Sequence, residues 1–154
     1  MPKCYQLVGV PGSGKTTWVN NQNWTQHCAQ IGTDKWVEIF AREVGQTYSE
    51  VFDHIMPVAI DLMIKEAILF RDLGRDIIWD QTSTTVASRR RKFATLPDHD
   101  HIAVVFRTPD DDELARRLAS RPGKTIPDHV VRNMIKHFEM PTEVEGFKEI
   151  WHVN

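Results

Sequence analysis

Three features predict an α/β domain with a parallel sheet of about five strands flanked by helices. Short apolar runs alternate with longer helical patterns, some of the runs are continuously apolar, and a glycine-rich turn stands between the first run and the first helix. The first strand is read at 5–8 and the first helix at 15–26. A short second strand is expected at 29–33, ending at Asp34, with a helix over 35–44 stopped by Gly45. A long helical stretch follows at 49–73, kinked or divided at Pro57 and closed by Gly74. Ile77, Ile78 and Trp79 form a third strand that ends on Asp80. The polar segment from Gln81 to Thr84 should cap a helix reaching Leu96. The fourth strand is placed at 101–106 and the next helix at 110–120, with acids at its start. Pro127 opens a last helix, and 147–153 forms the closing strand.

The 154 residues, 41% of them hydrophobic, are enough for one full core and imply a single domain over 1–154. No run reaches the ~18–20 apolar residues of a membrane span, and no signal segment is evident, so a soluble cytoplasmic protein without a membrane partner is expected. Cys4 and Cys28 lack metal or redox spacing and are read as reduced packing residues. A net charge of −2 argues against a surface that binds nucleic acid throughout, although basic runs occur at Arg89–Arg90–Arg91–Lys92 and among Arg116, Arg117, Arg121 and Lys124. No protein partner is evident.

The turn reads Gly9-Val10-Pro11-Gly12-Ser13-Gly14-Lys15-Thr16, followed by Thr17, and fits GxxxxGK[ST] directly between a strand and a helix. Glycines let successive N–H groups face an anion, and the helix adds its positive end. Lys15 is expected to reach the β- and γ-phosphates of ATP, and the Thr16 hydroxyl to take a magnesium position. A turn that only joined strand to helix would not need the lysine and the hydroxyl. The loop fixes the nucleotide but leaves the reaction open, because motors, switches and kinases share it. The small chain, with no paired acids on a second strand, favours a kinase with a small lid.

The segments GVPGSGKTTW, TDKW, IIWDQTS, SRRRKF and SRPGKTIPDHVVRNM, in that order, resemble the kinase domain of phage polynucleotide kinases over nearly the whole chain. Phage kinases acting on 5-hydroxymethyluracil in DNA share the same general resemblance. It implies a P-loop kinase fold, ATP and Mg²⁺ as cofactors, DNA as the acceptor and, for a phage-encoded chain, the host cytoplasm.

The resemblance places the catalytic aspartate at Asp34, where a carboxylate would orient a hydroxyl and accept its proton; capping of the following helix is the other reading. Arg121 matches a lid arginine that neutralises the transferring phosphoryl group, and Arg117 is a second contributor; pairing with nearby acids is the alternative for both. Asp80 and Thr82 would shape the acceptor site, where Arg117 is also placed, with helix capping or a water-linked magnesium role also open for Asp80. Trp36 is kept as an acceptor contact, whereas Trp18, Trp24 and Trp79 read as core. His99 and His101 are read as a solvated turn, and the run from Arg89 as either a solvated face or a phosphate contact.

One departure bears on specificity. The polynucleotide kinase pattern has an arginine three residues after the aspartate, gripping the acceptor's phosphate, and here Val37 takes that place. The reading therefore leans to the hydroxymethyl group of a modified pyrimidine, with a 5′-hydroxyl end as the alternative. A selective gain on 5′-ends when arginine is introduced at position 37 would show that this position helps choose the acceptor. A small-molecule or nucleoside kinase, and a nucleotide-dependent switch without an acceptor, are the other classes.

Overall fold

A computed structural model describes residues 1–154. Five strands, β1 (Lys3–Val8), β2 (Ala29–Ile31), β3 (Ile77–Trp79), β4 (Asp100–Phe106) and β5 (Glu149–Val153), pair in parallel in the order β2-β3-β1-β4-β5. The central strands are buried on both faces, as their predominantly apolar residues allow, with Gln6 and His101 as buried polar exceptions. The helices are α1 (Lys15–Asn21), α2 (Asp34–Val44), α3 (Tyr48–Asp72), α4 (Val86–Thr95), α5 (Asp111–Ala119) and α6 (Asp128–Lys136).

On one sheet face, Val19 of α1 packs with Leu7, Ile78 and Val104. On the other, Met63 and Ala67 of α3 pack with Cys4, Ile77 and Trp79, beside Leu96 after α4. The helices that follow β1 and β3 thus cover opposite faces. A crevice opens at the carboxyl ends of these two neighbouring strands, where ligands collect in open α/β sheets.

Several expected boundaries move, each for a local reason. The first helix stops at Asn21 instead of running to 26, because the Thr25 hydroxyl lies 2.7 Å from the Val19 carbonyl and 2.9 Å from that of Gln22. Both carbonyls lie at the helix end, where that of Val19 also accepts from the Gln22 N–H at 3.2 Å, and a single-turn 3₁₀ helix (Thr25–His27) follows. Pro57 does not divide α3, which is continuous for 25 residues. That helix begins at Tyr48, set by a capping box in which the Thr47 side chain accepts from the Glu50 N–H and Glu50 accepts from the Thr47 N–H. Thr85, not the segment 81–84, caps α4. β5 starts at Glu149, and Phe147 is instead a buried core residue.

The basic run on α4 is neither a solvated face nor a nucleic-acid contact at its two buried positions. Arg89 is fully buried, its Nε 2.8 Å and Nη2 3.1 Å from the two Glu145 oxygens, while Nη1 donates to the Ser83 carbonyl at 2.9 Å. Lys92 is also buried, over the Trp79 ring. His99 and His101 are buried and hydrogen-bonded, not solvated: His101 bridges Gln6 and the Leu96 carbonyl, and His99 meets the Arg75 carbonyl. Both cysteines are free. No helix is long and apolar enough to cross a membrane.

The Arg89–Glu145 pair ties the chain after β3 to the segment before β5. Glu145→Ala should cost about 3–5 kcal/mol, because a buried guanidinium would keep only the Ser83 carbonyl. Thermal unfolding should then shift down by about 10 °C or more. A shift below about 2 °C would mean that Arg89 finds another partner.

Candidate functional site

A cavity of about 1550 Å³ lies at the crevice between β1 and β3 and is bordered by the loop after β1, the N-terminal end of α3 and the segment between α5 and α6. Its volume exceeds the ~300–1,000 Å³ of a pocket for one small ligand, so two reactants fit side by side.

Gly12 and Gly14 take φ of 82° and 98°, left-handed values that let the loop curl over the start of α1. Pro11 to Thr17 line the cavity, while Gly9 and Val10 are buried beneath it. The Gly9 N–H donates to the Thr82 carbonyl at 2.9 Å, joining the glycine loop to the segment after β3. Lys15 Nζ donates to the Gly9 and Val10 carbonyls at 2.8 and 3.0 Å. Burial lowers its pKa to about 8, with Asp80 and Asp34 opposing the shift and Arg121 adding to it.

Asp34 is the first residue of α2, and its side chain is about three-fifths exposed. Thr33 is the N-cap residue and no side chain caps this helix, so the capping reading of Asp34 falls away. Its Oδ1 instead accepts from the Tyr48 hydroxyl at 2.6 Å, and its Oδ2 lies 3.8 Å from Lys124 Nζ. Burial, then the Asp34 charge, raises the Tyr48 pKa and keeps the phenol a donor. Lys124 pairs with Glu38 at 2.6 Å and sits over the Tyr48 ring.

Asp80 lines the same cavity, beside Gln81 and Thr82. Burial raises its pKa against the pull of Lys15, with Asp34 adding to the rise. The backbone approach is close here: a Cβ on Gly32 would come within 2.5 Å of the Asp80 carbonyl oxygen, so position 32 requires glycine.

Arg121 follows α5 and faces the cavity. Arg117 also lines it but touches the glycine loop, donating to the Gly12 carbonyl at 3.0 Å and to Glu113 at 2.6 Å, so its place is on the phosphate side and not the acceptor side. Arg116 pairs with Glu113 as well. The segment carrying Arg121 is latched. The Ser49 N–H donates to the Gly123 carbonyl at 3.1 Å, and the Thr125 N–H donates to the Ser49 hydroxyl at 2.7 Å.

Of the residues read from sequence, Trp36 is the one the structure separates from the cavity. Its Nε1 donates to Glu66 at 2.8 Å and its ring packs between α2 and α3. Trp18 does border the cavity. Tyr48, Ser49, Phe52 and Asp53 were missed. The Thr47–Glu50 capping box is the signal that could have located this helix start.

The cavity suits the groups implied for it. The Ser13 hydroxyl is buried without a partner beside the curled loop, and Thr16 and Asp80 offer hard oxygen donors. Mg²⁺ characteristically uses one or two such protein oxygens together with phosphates.

The glycine loop, the parallel five-stranded sheet and the crevice between β1 and β3 define a P-loop nucleotide-binding domain with the kinase fold. The chain belongs to the AAA domain family of the AAA_33 type, whose sequence model matches residues 6–141. It is 25% identical over 152 residues to the bifunctional polynucleotide phosphatase/kinase of Schizosaccharomyces pombe, covering 96% of this chain and 32% of that protein. The chain thus spans about a third of that relative's length. Among solved structures, the PezAT toxin–antitoxin system of Streptococcus pneumoniae superposes with a TM-score of 0.75 at 16% identity, covering 100% of this chain and 67% of the other. A gluconokinase from Sinorhizobium meliloti gives 0.59 at 16% identity, with 99% and 82% covered. At these identities the structures establish the fold.

Proposed function

We propose that the domain is an ATP-dependent kinase that transfers the γ-phosphate to a primary hydroxyl carried by DNA, the 5-hydroxymethyl group of a modified pyrimidine being the favoured acceptor. The observation that carries this reading is that Lys15, Thr16, Asp34 and Arg121 border one cavity large enough for two reactants. Asp34 orients the hydroxyl and accepts its proton, with Tyr48 holding the carboxylate. Lys15 and Arg121 stabilise negative charge on the transferring group, and the glycine-loop N–H groups hold the phosphates. Thr16, with Asp80 through water, would hold Mg²⁺, which neutralises phosphate charge when bound.

The lean toward a base acceptor rests on position 37. Val37 is fully buried against Ala41, Val51 and Ala59. An arginine there would push a guanidinium into this packing, so Val37→Arg would disturb the fold and is not a test of acceptor choice. The second reading, a 5′-hydroxyl kinase, is favoured by the polynucleotide phosphatase/kinase relative.

Label from γ-labelled ATP is expected in end-blocked duplex containing 5-hydroxymethyluracil, and at least about tenfold less, ~1.4 kcal/mol, in end-blocked thymine duplex or in unmodified duplex with free 5′-hydroxyls. Label confined to the free 5′-ends would establish the second reading. Label in water-derived phosphate alone would point to a nucleotide switch.

A further inference from the structure

Tyr48, Phe52 and Met56 recur every fourth residue along α3 and so share one helix face; all three border the large cavity. The Tyr48 and Phe52 rings lie 5.6 Å apart, tilted by 43°. Lys124 covers the Tyr48 ring, whereas Phe52 keeps 37% of its surface open. An exposed aromatic in a concave wall provides a stacking surface. Next to it stands Asp53, exposed, bordering the same cavity and making no ion pair or side-chain hydrogen bond. The Tyr48–Asp34 hydrogen bond joins this wall to the carboxylate assigned to the acceptor hydroxyl.

Most of the cations around the wall are engaged. Lys15 and Arg117 bond to the glycine loop and Lys124 is paired with Glu38, while Arg121 lines the same cavity without an ion pair. A phosphate brought to Asp53 meets a like charge, while an N–H group meets an acceptor. We infer that Phe52 and Asp53 form the acceptor-recognition wall, taking a flat, neutral ring that stacks on Phe52 and donates an N–H to Asp53. A pyrimidine of the uracil type, with its single ring N–H, has this chemistry. The inference rests on the kinase reading for the role of the bound ring, but the binding itself can be measured without phosphotransfer.

Its two sources, a free nucleoside and a base presented by DNA, share the ring. Calorimetry in the presence of ADP and Mg²⁺ would use 5-hydroxymethyl-2′-deoxyuridine, a short single-stranded oligonucleotide containing it, and the N3-methylated form of each. The wild-type protein should bind at least one parent probe about tenfold more tightly than its N3-methyl form, because the methyl group removes the N–H donor and presses against the carboxylate. Asp53→Ala, which removes the accepting oxygen that an amide would keep, should shrink that ratio to about threefold or less. Phe52→Ala, at an exposed helix position where the fold should tolerate it, should weaken both forms about tenfold. The probe that binds identifies the source.

Binding of neither parent probe, equal binding of parent and N3-methyl forms, or Phe52→Ala binding within about twofold of wild type would overturn the wall. Label transfer from ATP to the bound probe is read separately. Binding with this signature but no transfer would refute the kinase reading and leave the wall standing. Transfer that ignores both substitutions would do the reverse.

Discussion

Lys15→Ala is expected to lower phosphotransfer at least about a hundredfold, the scale on which one preorganised donor to a developing negative charge acts. The lysine is held at the glycine loop by two carbonyls, 2.8 and 3.0 Å from Nζ, whereas Arg117 reaches the loop at the Gly12 carbonyl. Retention of more than about a tenth of wild-type activity would contradict the role. The substitution should leave the fold intact. Burial disfavours the charged form, so the ammonium costs the folded state stability below its folded pKa of about 8, and its removal relieves that cost. A fall in melting temperature of more than a few degrees would mean that its hydrogen bonds hold the loop together. The same shift gives ATP binding a pH signature. Triphosphate favours the charged lysine, so affinity is full below about pH 8 and falls by up to about tenfold per pH unit above it, as binding must then take up a proton. In Lys15→Ala this dependence should flatten.

The sheet and the phosphate loop were legible because their signals are local. β3 and residues 102–106 of β4 are continuous apolar runs that burial on two faces demands, and Gly12 and Gly14 adopt the left-handed conformations that their spacing implies. Trp36 could have been placed correctly by helix phase alone. Residues two apart on α2 project about 200° apart, so Trp36 cannot share the direction of Asp34 once the helix begins there. What was not legible depends on partners distant in sequence. Arg89 reads as one of four surface cations until Glu145, 56 residues away, enters its plane. His101 looks like part of a polar turn until Gln6 of β1 pairs with it across the sheet.

Tyr48 belongs to the same class. Nothing in its spacing from Asp34 marks a contact; the contact arises because α2 and α3 pack together through Val37, Ala41, Val51 and Ala59. That packing also decides what position 37 can do. As a residue of a helical hairpin core it is closed to the cavity, and acceptor selection passes to the residues of α3 that face it.

Asp34→Asn is expected to keep ATP affinity within about twofold while lowering phosphotransfer by about a hundredfold or more, the usual span of a lost general base. The amide preserves size and retains an oxygen that can accept from the Tyr48 hydroxyl, so the carboxylate's neighbours need not move. What it removes is the ability to take the acceptor's proton. Two stabilising roles of the charge are bounded by the geometry. Asp34 lies in the first turn of α2, where a negative charge adds about 0.3–1 kcal/mol, and its contact with Lys124 is long, at 3.8 Å. Melting temperature should therefore fall by only about 1–4 °C, too little to account for a hundredfold loss at the assay temperature. Saturating acceptor should not rescue the variant, because the missing interaction belongs to the transition state and lowers kcat without raising KM. Near-normal turnover with the small stability loss would reduce Asp34 to a favourable charge at a helix start and move the search for the base to Asp80, the other carboxylate close enough to shift Lys15.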